Sequence, residues 1–320
     1  YLNVGYMVIC VSNAAILHFD LRALDLPPPE ELHRRQRELW AVLRRMIFAD
    51  GRLARIGGDS RIRYAYCQDY LLPALAYAAE ALGDAHAPEL SEGLVRLMAA
   101  EQKYSGDGSF YGRRLAALAE ANPYYYTRLE SDRACVLGMA LAWAPLVKSP
   151  PPPVESFERS VAGGWIEPEH GAAMHRSPTR LASFAWRARG LGQGLCLPPD
   201  DGHLAEWQGN LCGVARFPCD SLPIRAERAL RSARVAAFPG GFLACGQIVE
   251  GAKVHLPEGW TGENQLLHFL CFAALPDDRT VAAIELMRAG PGRVYLTEVQ
   301  GMHFVLPNDF YNGFERLLTG

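Results

Sequence analysis

The feature that most constrains this chain is a run of four prolines, Pro150-Pro151-Pro152-Pro153, after Ser149. Consecutive prolines fix φ and lack amide donors, so neither a helix interior nor a central strand passes through them. They form a stiff extended spacer, and the hydrophobic period changes across it. Before the run the apolar spacing is helical. Glu30 to Phe48 carries Leu32, Leu39, Trp40, Leu43 and Ile47 on one face, with arginines on the other. Arg61 to Leu82, Glu89 to Tyr104, Arg113 to Ala121 and Asp132 to Trp143 read the same way, with Pro73 as a kink point and Ser131 as an N-cap. After the run come short apolar or alternating segments: Val235 to Phe238, Phe242 to Val249, Leu266 to Ala274, Val281 to Met287 and Val294 to Val299. Turn signals such as Pro239-Gly240-Gly241 and Pro276-Asp277-Asp278 bound them. Such spacing predicts an antiparallel sandwich or barrel.

The chain therefore divides into a helical domain, 1–148, a proline-rich linker, 149–158, and a β domain, 159–320. Two turn elements in the helical part look alike, Ala49-Asp50-Gly51-Arg52-Leu53 and Gly106-Asp107-Gly108-Ser109-Phe110. Each follows one helix and feeds another, which suggests stacked helical hairpins. A length of 320 residues with 49% hydrophobic content supplies core for two domains. The net charge of -3 and pI of 6.3 exclude a basic nucleic-acid binder. No stretch is read as long enough to span a membrane. The apolar opening, Tyr1 to Leu17, has no basic leader and reads as a core helix of a truncated chain. The eight cysteines include no Cys-x-x-Cys pair, which argues against a zinc ribbon. Cys135, Cys245 and Cys271 sit in apolar runs, read as small hydrophobes. This usage leans towards a reducing, cytoplasmic compartment.

Asp50-Gly51-Arg52-Leu53-Ala54-Arg55-Ile56-Gly57-Gly58-Asp59-Ser60 resembles the Asp-Gly-x-Leu-Pro-x-Ile-Gly-Asp loop of heparinase II/III-like proteins. Ala54 stands where proline is usual, and one glycine is extra. Met174-His175-Arg176, then Ser183-Phe184 and Glu206-Trp207-Gln208-Gly209-Asn210, resemble the first sandwich strands of the hyaluronate, chondroitin and heparin lyases. Pro307-Asn308-Asp309-Phe310-Tyr311-Asn312-Gly313 is similar to a later sandwich segment. The resemblance implies an α+β multidomain fold: an incomplete (α/α) toroid of helical hairpins followed by an antiparallel β-sandwich. The toroid lacks its first hairpins in this reading, and the sandwich stops before it closes. The implied activity is β-elimination on a uronic-acid glycan. The expected partner is an acidic polysaccharide or oligosaccharide, not nucleic acid or membrane. His203, His255 and His268 show no diagnostic ligand spacing, so neither metal nor cofactor is expected.

Elimination removes a proton beside a carboxylate, so donors must neutralise that carboxylate while a base takes the proton. The segment Asp59 to Tyr70 offers such groups where a glycine-rich loop enters a helix. Tyr66 is the candidate base and acid. Arg63, one turn away, is placed to lower its pKa. Arg61 is the candidate holder of the sugar carboxylate, with Asp59, Tyr64 and Asp69 as further substrate contacts. The same residues also read as helix core and cap. Tyr125, flanked by Tyr124 and Tyr126, suits stacking on a sugar face or packing in an inter-helix loop. His175 is a third catalytic candidate. Its neighbour Arg176, a candidate substrate contact, would point to the opposite face of a strand. Asn13, with His18 nearby, precedes Tyr66 as a neutraliser does in the lyases. Two other functions stay open: a glycoside hydrolase using Asp59 and Asp69 as paired carboxylates, and a non-catalytic glycan-binding relative.

Overall fold

Apolar residues at helical spacing become helices through the first half of the chain, and short alternating segments become strands through the second. The computed structural model describes residues 3–54, 56, 61–148, 150–188, 191–197, 211–218, 227–255, 261–290 and 294–303. For 61–66, 188, 191, 197, 227, 252–255 and 261–264 it describes the backbone alone. The fold is mixed α and β, with antiparallel sheets. Two units are distinguished, a helical unit built mainly from 4–54 and 60–161 and a β unit built mainly from 162–306.

In the helical unit, α1 (Val4–Ala23) buries Val8, Val11, Ala15 and Phe19. It is 20 residues long with a window of mean hydropathy 1.5, half of it buried. It is thus long and apolar enough to cross a membrane, which corrects the expectation that no stretch reaches that length. The segment read as one helix from Glu30 is broken into α2 (Glu30–His33) and α3 (Gln36–Leu43). The break lies at Arg35, whose φ of 59° is left-handed and ends a right-handed helix. α3 is tied down at its far end, where Trp40 Nε1 and Arg44 Nε donate to Asp84 at 2.7 and 3.0 Å.

Helix α4 (Arg61–Tyr77) runs through Pro73, which removes only the bond to the Asp69 carbonyl. It packs on α1, on α5 (Ala87–Ser105), and, past α6 (Ala116–Ala121), on α7 (Pro123–Trp143). The start of α7 corrects the expected cap at Ser131. Asn122 caps the helix, its Oδ1 accepting from the Tyr125 amide at 3.1 Å, and Pro123 fills the first turn. Tyr124 to Tyr126 are therefore helical, and Ser131 lies inside, its hydroxyl on the Thr127 carbonyl. A short α8 (Phe157–Ser160) follows the prolines.

In the β unit, β1 (Gly163–Glu167), β2 (Ala172–Arg176), β3 (Leu181–Ala188) and β4 (Leu191–Leu197) form one antiparallel sheet in chain order. β6 (Glu227–Phe238), β7 (Gly241–His255), β8 (Thr261–Ala274) and β9 (Val281–Ala289) form another. Between them in sequence, β5 (Val214–Arg216) pairs with β10 (Glu298–Gln300). The segment read as a strand from Val294 pairs only over those last residues. None of these sheets closes into a barrel. Phe184 and Trp186 of β3 share a buried cluster with Phe242 of β7 and Phe272 of β8. The Phe184 and Phe272 rings lie 5.3 Å apart. Burying each such ring stabilises the unit by about 1.5–3 kcal/mol.

Candidate functional site

The first Asp-Gly element forms a small hairpin. The Phe48 amide donates to the Arg52 carbonyl at 2.7 Å, and Ile47 bridges to Leu53. Asp50 Oδ1 accepts from the Arg52 amide at 3.1 Å and Oδ2 from Arg52 Nε at 2.7 Å. The second element repeats the device, with Asp107 Oδ1 accepting from the Ser109 amide at 2.9 Å. Both glycines are left-handed, Gly51 at φ 85° and Gly108 at φ 89°. Gly51 is needed for a second reason: a Cβ there would meet the Leu90 carbonyl of α5 at 2.5 Å. Gly93 of α5 returns the fit, since its Cβ would meet the Asp50 carbonyl at 2.6 Å.

Gln68 locks this hairpin to α4. Its Oε1 accepts from the Leu53 amide at 2.8 Å, and its Nε2 donates to the Gly51 carbonyl at 2.9 Å. Gln68 is 9% exposed, so both bonds are sheltered. The next residue, Asp69, is wholly buried. Arg133 of α7 approaches it through Nη2 at 2.9 Å and through Nε at 3.1 Å. Tyr111 donates its hydroxyl to Asp69 Oδ2 at 2.5 Å. Arg133 also bonds Glu101 of α5, which Arg114 reaches in turn. The Arg133 guanidinium lies 3.8 Å from the Tyr111 ring centroid. Two carboxylates and two guanidiniums balance, as buried charges must. Burial pushes the Asp69 carboxyl up to about 6 against the pull of Arg133. Burial and the Asp69 charge hold the Tyr111 phenol well above its usual range, so it is a donor here and not a base.

These anchors sit directly after the turns of α4 that carry Arg61, Arg63, Tyr64 and Tyr66. The helical backbone of those four positions is described and their side chains are not; Asp59 lies outside the described residues. Positions 63, 66 and 69 follow one another along one side of the helix. Asn13 is exposed on α1. His18 is buried beside His33 and Tyr77, with ring centroids 5.4 Å away in each case. Tyr125 is half-buried in the first turn of α7, and the Arg128 guanidinium stands 5.9 Å from its ring centroid.

In the β unit, His175 and Arg176 on β2 are both buried, at 7% and 1% exposure. Arg180 Nη2 donates to His175 Nδ1 at 3.1 Å. A guanidinium cannot accept, so Nδ1 carries the lone pair and Nε2 the proton. Burial, aided by the Arg180 charge, lowers the His175 pKa and keeps the ring neutral. Arg180 also holds the Leu275, Thr280 and Gly240 carbonyls at 2.8, 2.9 and 3.2 Å, gathering two turns onto β3.

A further cluster was not anticipated. His268 is fully buried on β8, with Nε2 3.0 Å from Glu250 Oε2 on β7 and Nδ1 3.0 Å from Glu285 Oε1 on β9. Two carboxylates on two ring nitrogens require an imidazolium. Burial opposes that charge, but the bonds to Glu250 and Glu285 outweigh it, and the His268 pKa is raised. Arg228 of β6 lies 3.3 Å from Glu250. The Gly213 and Ala215 amides donate to Glu285 and Glu250 at 3.0 and 3.3 Å, which docks the β5 backbone on the network. The sequence signal was parity: Glu250, His268 and Glu285 occupy positions that alternation assigns to the core, where an unpaired charge is excluded.

Among the described residues, Glu167, Glu169 and His170 bring three ligand atoms within 4.8 Å of one another. They lie at the β1–β2 turn, and their exposure matches an ordinary acidic turn. Trp207, Gln208, Asn210, His203 and the 307–313 segment lie outside the described residues. No family model, curated protein or solved structure matches this chain.

Proposed function

We propose that this chain belongs to a polysaccharide-lyase-like protein that cleaves an acidic, uronic-acid-containing glycan by β-elimination. The observation that carries the reading is the lock between the Asp-Gly hairpin and α4. The loop that resembles the lyase motif is bonded through Gln68 to the helix whose first turns bear Arg61, Arg63, Tyr64 and Tyr66. Asp69, one turn further, is fixed to α7. A catalytic tyrosine needs such a rigid mounting, because misplacement by about an ångström costs orders of magnitude in rate. Tyr66 takes the proton and returns it to the leaving oxygen; Arg63 favours its ionised form; Arg61 binds the carboxylate. The helices joined by Asp-Gly turns are read as part of an (α/α) toroid, and the two four-stranded sheets around one core as a β-sandwich.

The hydrolase alternative is less well supported. Asp69 has both oxygens committed to Arg133 and Tyr111 and is wholly enclosed, so it is a support and not a free catalytic carboxylate. The test is incubation of the full-length protein with a panel of uronic-acid polymers, following ultraviolet absorbance of the unsaturated product. Absorbance should rise, and Tyr66→Phe should lower kcat by about 10²-fold or more. No absorbance from any polymer overturns the proposal. Glycan binding that survives in Tyr66→Phe, with no turnover by either protein, makes the chain a binding relative.

A further inference from the structure

Cys245 of β7 and Cys271 of β8 are direct register partners in an antiparallel pair. Their sulfurs lie 2.6 Å apart. That separation is far inside ordinary contact between two sulfur atoms and close to a disulfide bond of about 2.05 Å. Both side chains lie on the sheet face opposite the core, alternating with buried Ala244 and Phe272, and both are partly exposed. An oxidant in solution therefore reaches them without unfolding the sheet. Flanking bonds hold the two strands in register from Phe242↔Ala274 to His255↔Thr261, so the thiols cannot drift apart.

We propose that Cys245 and Cys271 are a redox modification site, closing to a cross-strand disulfide when a small disulfide oxidant is present. One thiolate attacks a sulfur of the oxidant, forming a mixed disulfide and releasing one small thiolate. The second cysteine thiolate attacks the protein sulfur of that mixed disulfide and releases the other. The two protons lost by the cysteines end on the two small thiols, and the electrons balance as one disulfide reduced for one formed. Burial, with the neighbouring sulfur, pushes the Cys245 thiol up to about 11, which makes closure slow near neutral pH and faster in mild alkali.

The test is equilibration of the folded full-length protein with oxidised glutathione, alkylation, and tryptic mapping without reductant. Lys253 separates the two cysteines. The expected product is therefore a linked pair of peptides, Val235 to Lys253 with Val254 to Arg279, that falls apart on reduction. Cys245→Ser or Cys271→Ser should abolish the linked species, leaving its partner alkylated or carrying one glutathione. Wild-type protein in which both cysteines remain alkylated, or carry glutathione without linking, overturns the proposal, as does linkage of either to a different cysteine.

Discussion

The two units each bury a charge network, and the networks differ in what stands at the centre. In the helical unit the centre is Arg133, a cation at every accessible pH, gripping Asp69 and Glu101. In the β unit the centre is His268, a cation only while its two carboxylates keep it protonated. The first network joins α4, α5 and α7, and its variable member is a carboxyl. The second joins β7, β8 and β9, and its variable member is the cation itself. A histidine centre makes the β unit the more pH-sensitive, and it shares that unit with a second buried histidine of opposite character: His175, beside Arg180, stays neutral.

The largest effect should come from breaking the arginine centre. Arg133→Met leaves the buried Asp69 carboxylate without a cation, while Glu101 keeps Arg114, and loss of one partner of a buried pair typically costs about 3–5 kcal/mol. Hydrogen exchange of peptides from α4 and α7 should show it; a loss under about 1 kcal/mol would mean that the network is not a structural support. His268→Phe removes the smaller centre, for an expected loss of about 2–3 kcal/mol, because Arg228 still faces Glu250. Exchange in β5 to β9 peptides should rise, and unchanged exchange there would deny the network a structural role. Gln68→Ala should cost about 1–2 kcal/mol through two sheltered bonds. Exchange at the Leu53 amide should rise while the α7 peptides stay protected, and an unchanged Leu53 amide would deny the lock.

The pH series is the finest discriminator. His268 has a raised folded pKa, so its contribution is full below the unfolded histidine value, about 6.5, and is lost as pH rises through the folded value. His175 has a lowered folded pKa, so its contribution is present above about 6.5 and is lost as pH falls through the folded value. Asp69, raised to about 6, contributes most below the usual carboxyl range and loses that contribution as pH rises through 6. Denaturant titration of His268→Phe and His175→Leu against the parent should therefore give differences that change in opposite directions with pH. Parallel curves would contradict the assigned ring charges.

Much of the secondary structure was legible because periodicity is local. Arg61 to Leu82, Glu89 to Tyr104 and the long strands from Val235 to Met287 announce themselves within their own windows. The break at Arg35 was hidden, because an arginine carries none of the left-handed preference that glycine would signal. The start of α7 was hidden behind Asn122-Pro123, which reads equally as a turn and as a cap. The networks were the hardest to see. Asp69, Glu101, Tyr111 and Arg133 come from separate segments, and only tertiary packing brings them together. Glu250, His268 and Glu285 were closer to legible: charged residues at inward parity on three consecutive strands imply that they meet, since diagonal neighbours on adjacent strands lie within reach. The motif loop and Tyr66 were visible only by resemblance.

The proposed reaction has a direct signature. Elimination breaks the glycosidic bond without water, whereas hydrolysis adds the oxygen of one water to one of the two new ends. Digestion of a uronic-acid polymer by the full-length protein in heavy-oxygen water, read by mass spectrometry, separates the two. The proposal predicts unsaturated fragments with no heavy oxygen at the cleaved bond, and Tyr66→Phe that yields almost none of them. Saturated fragments carrying one heavy oxygen per cleavage would contradict it.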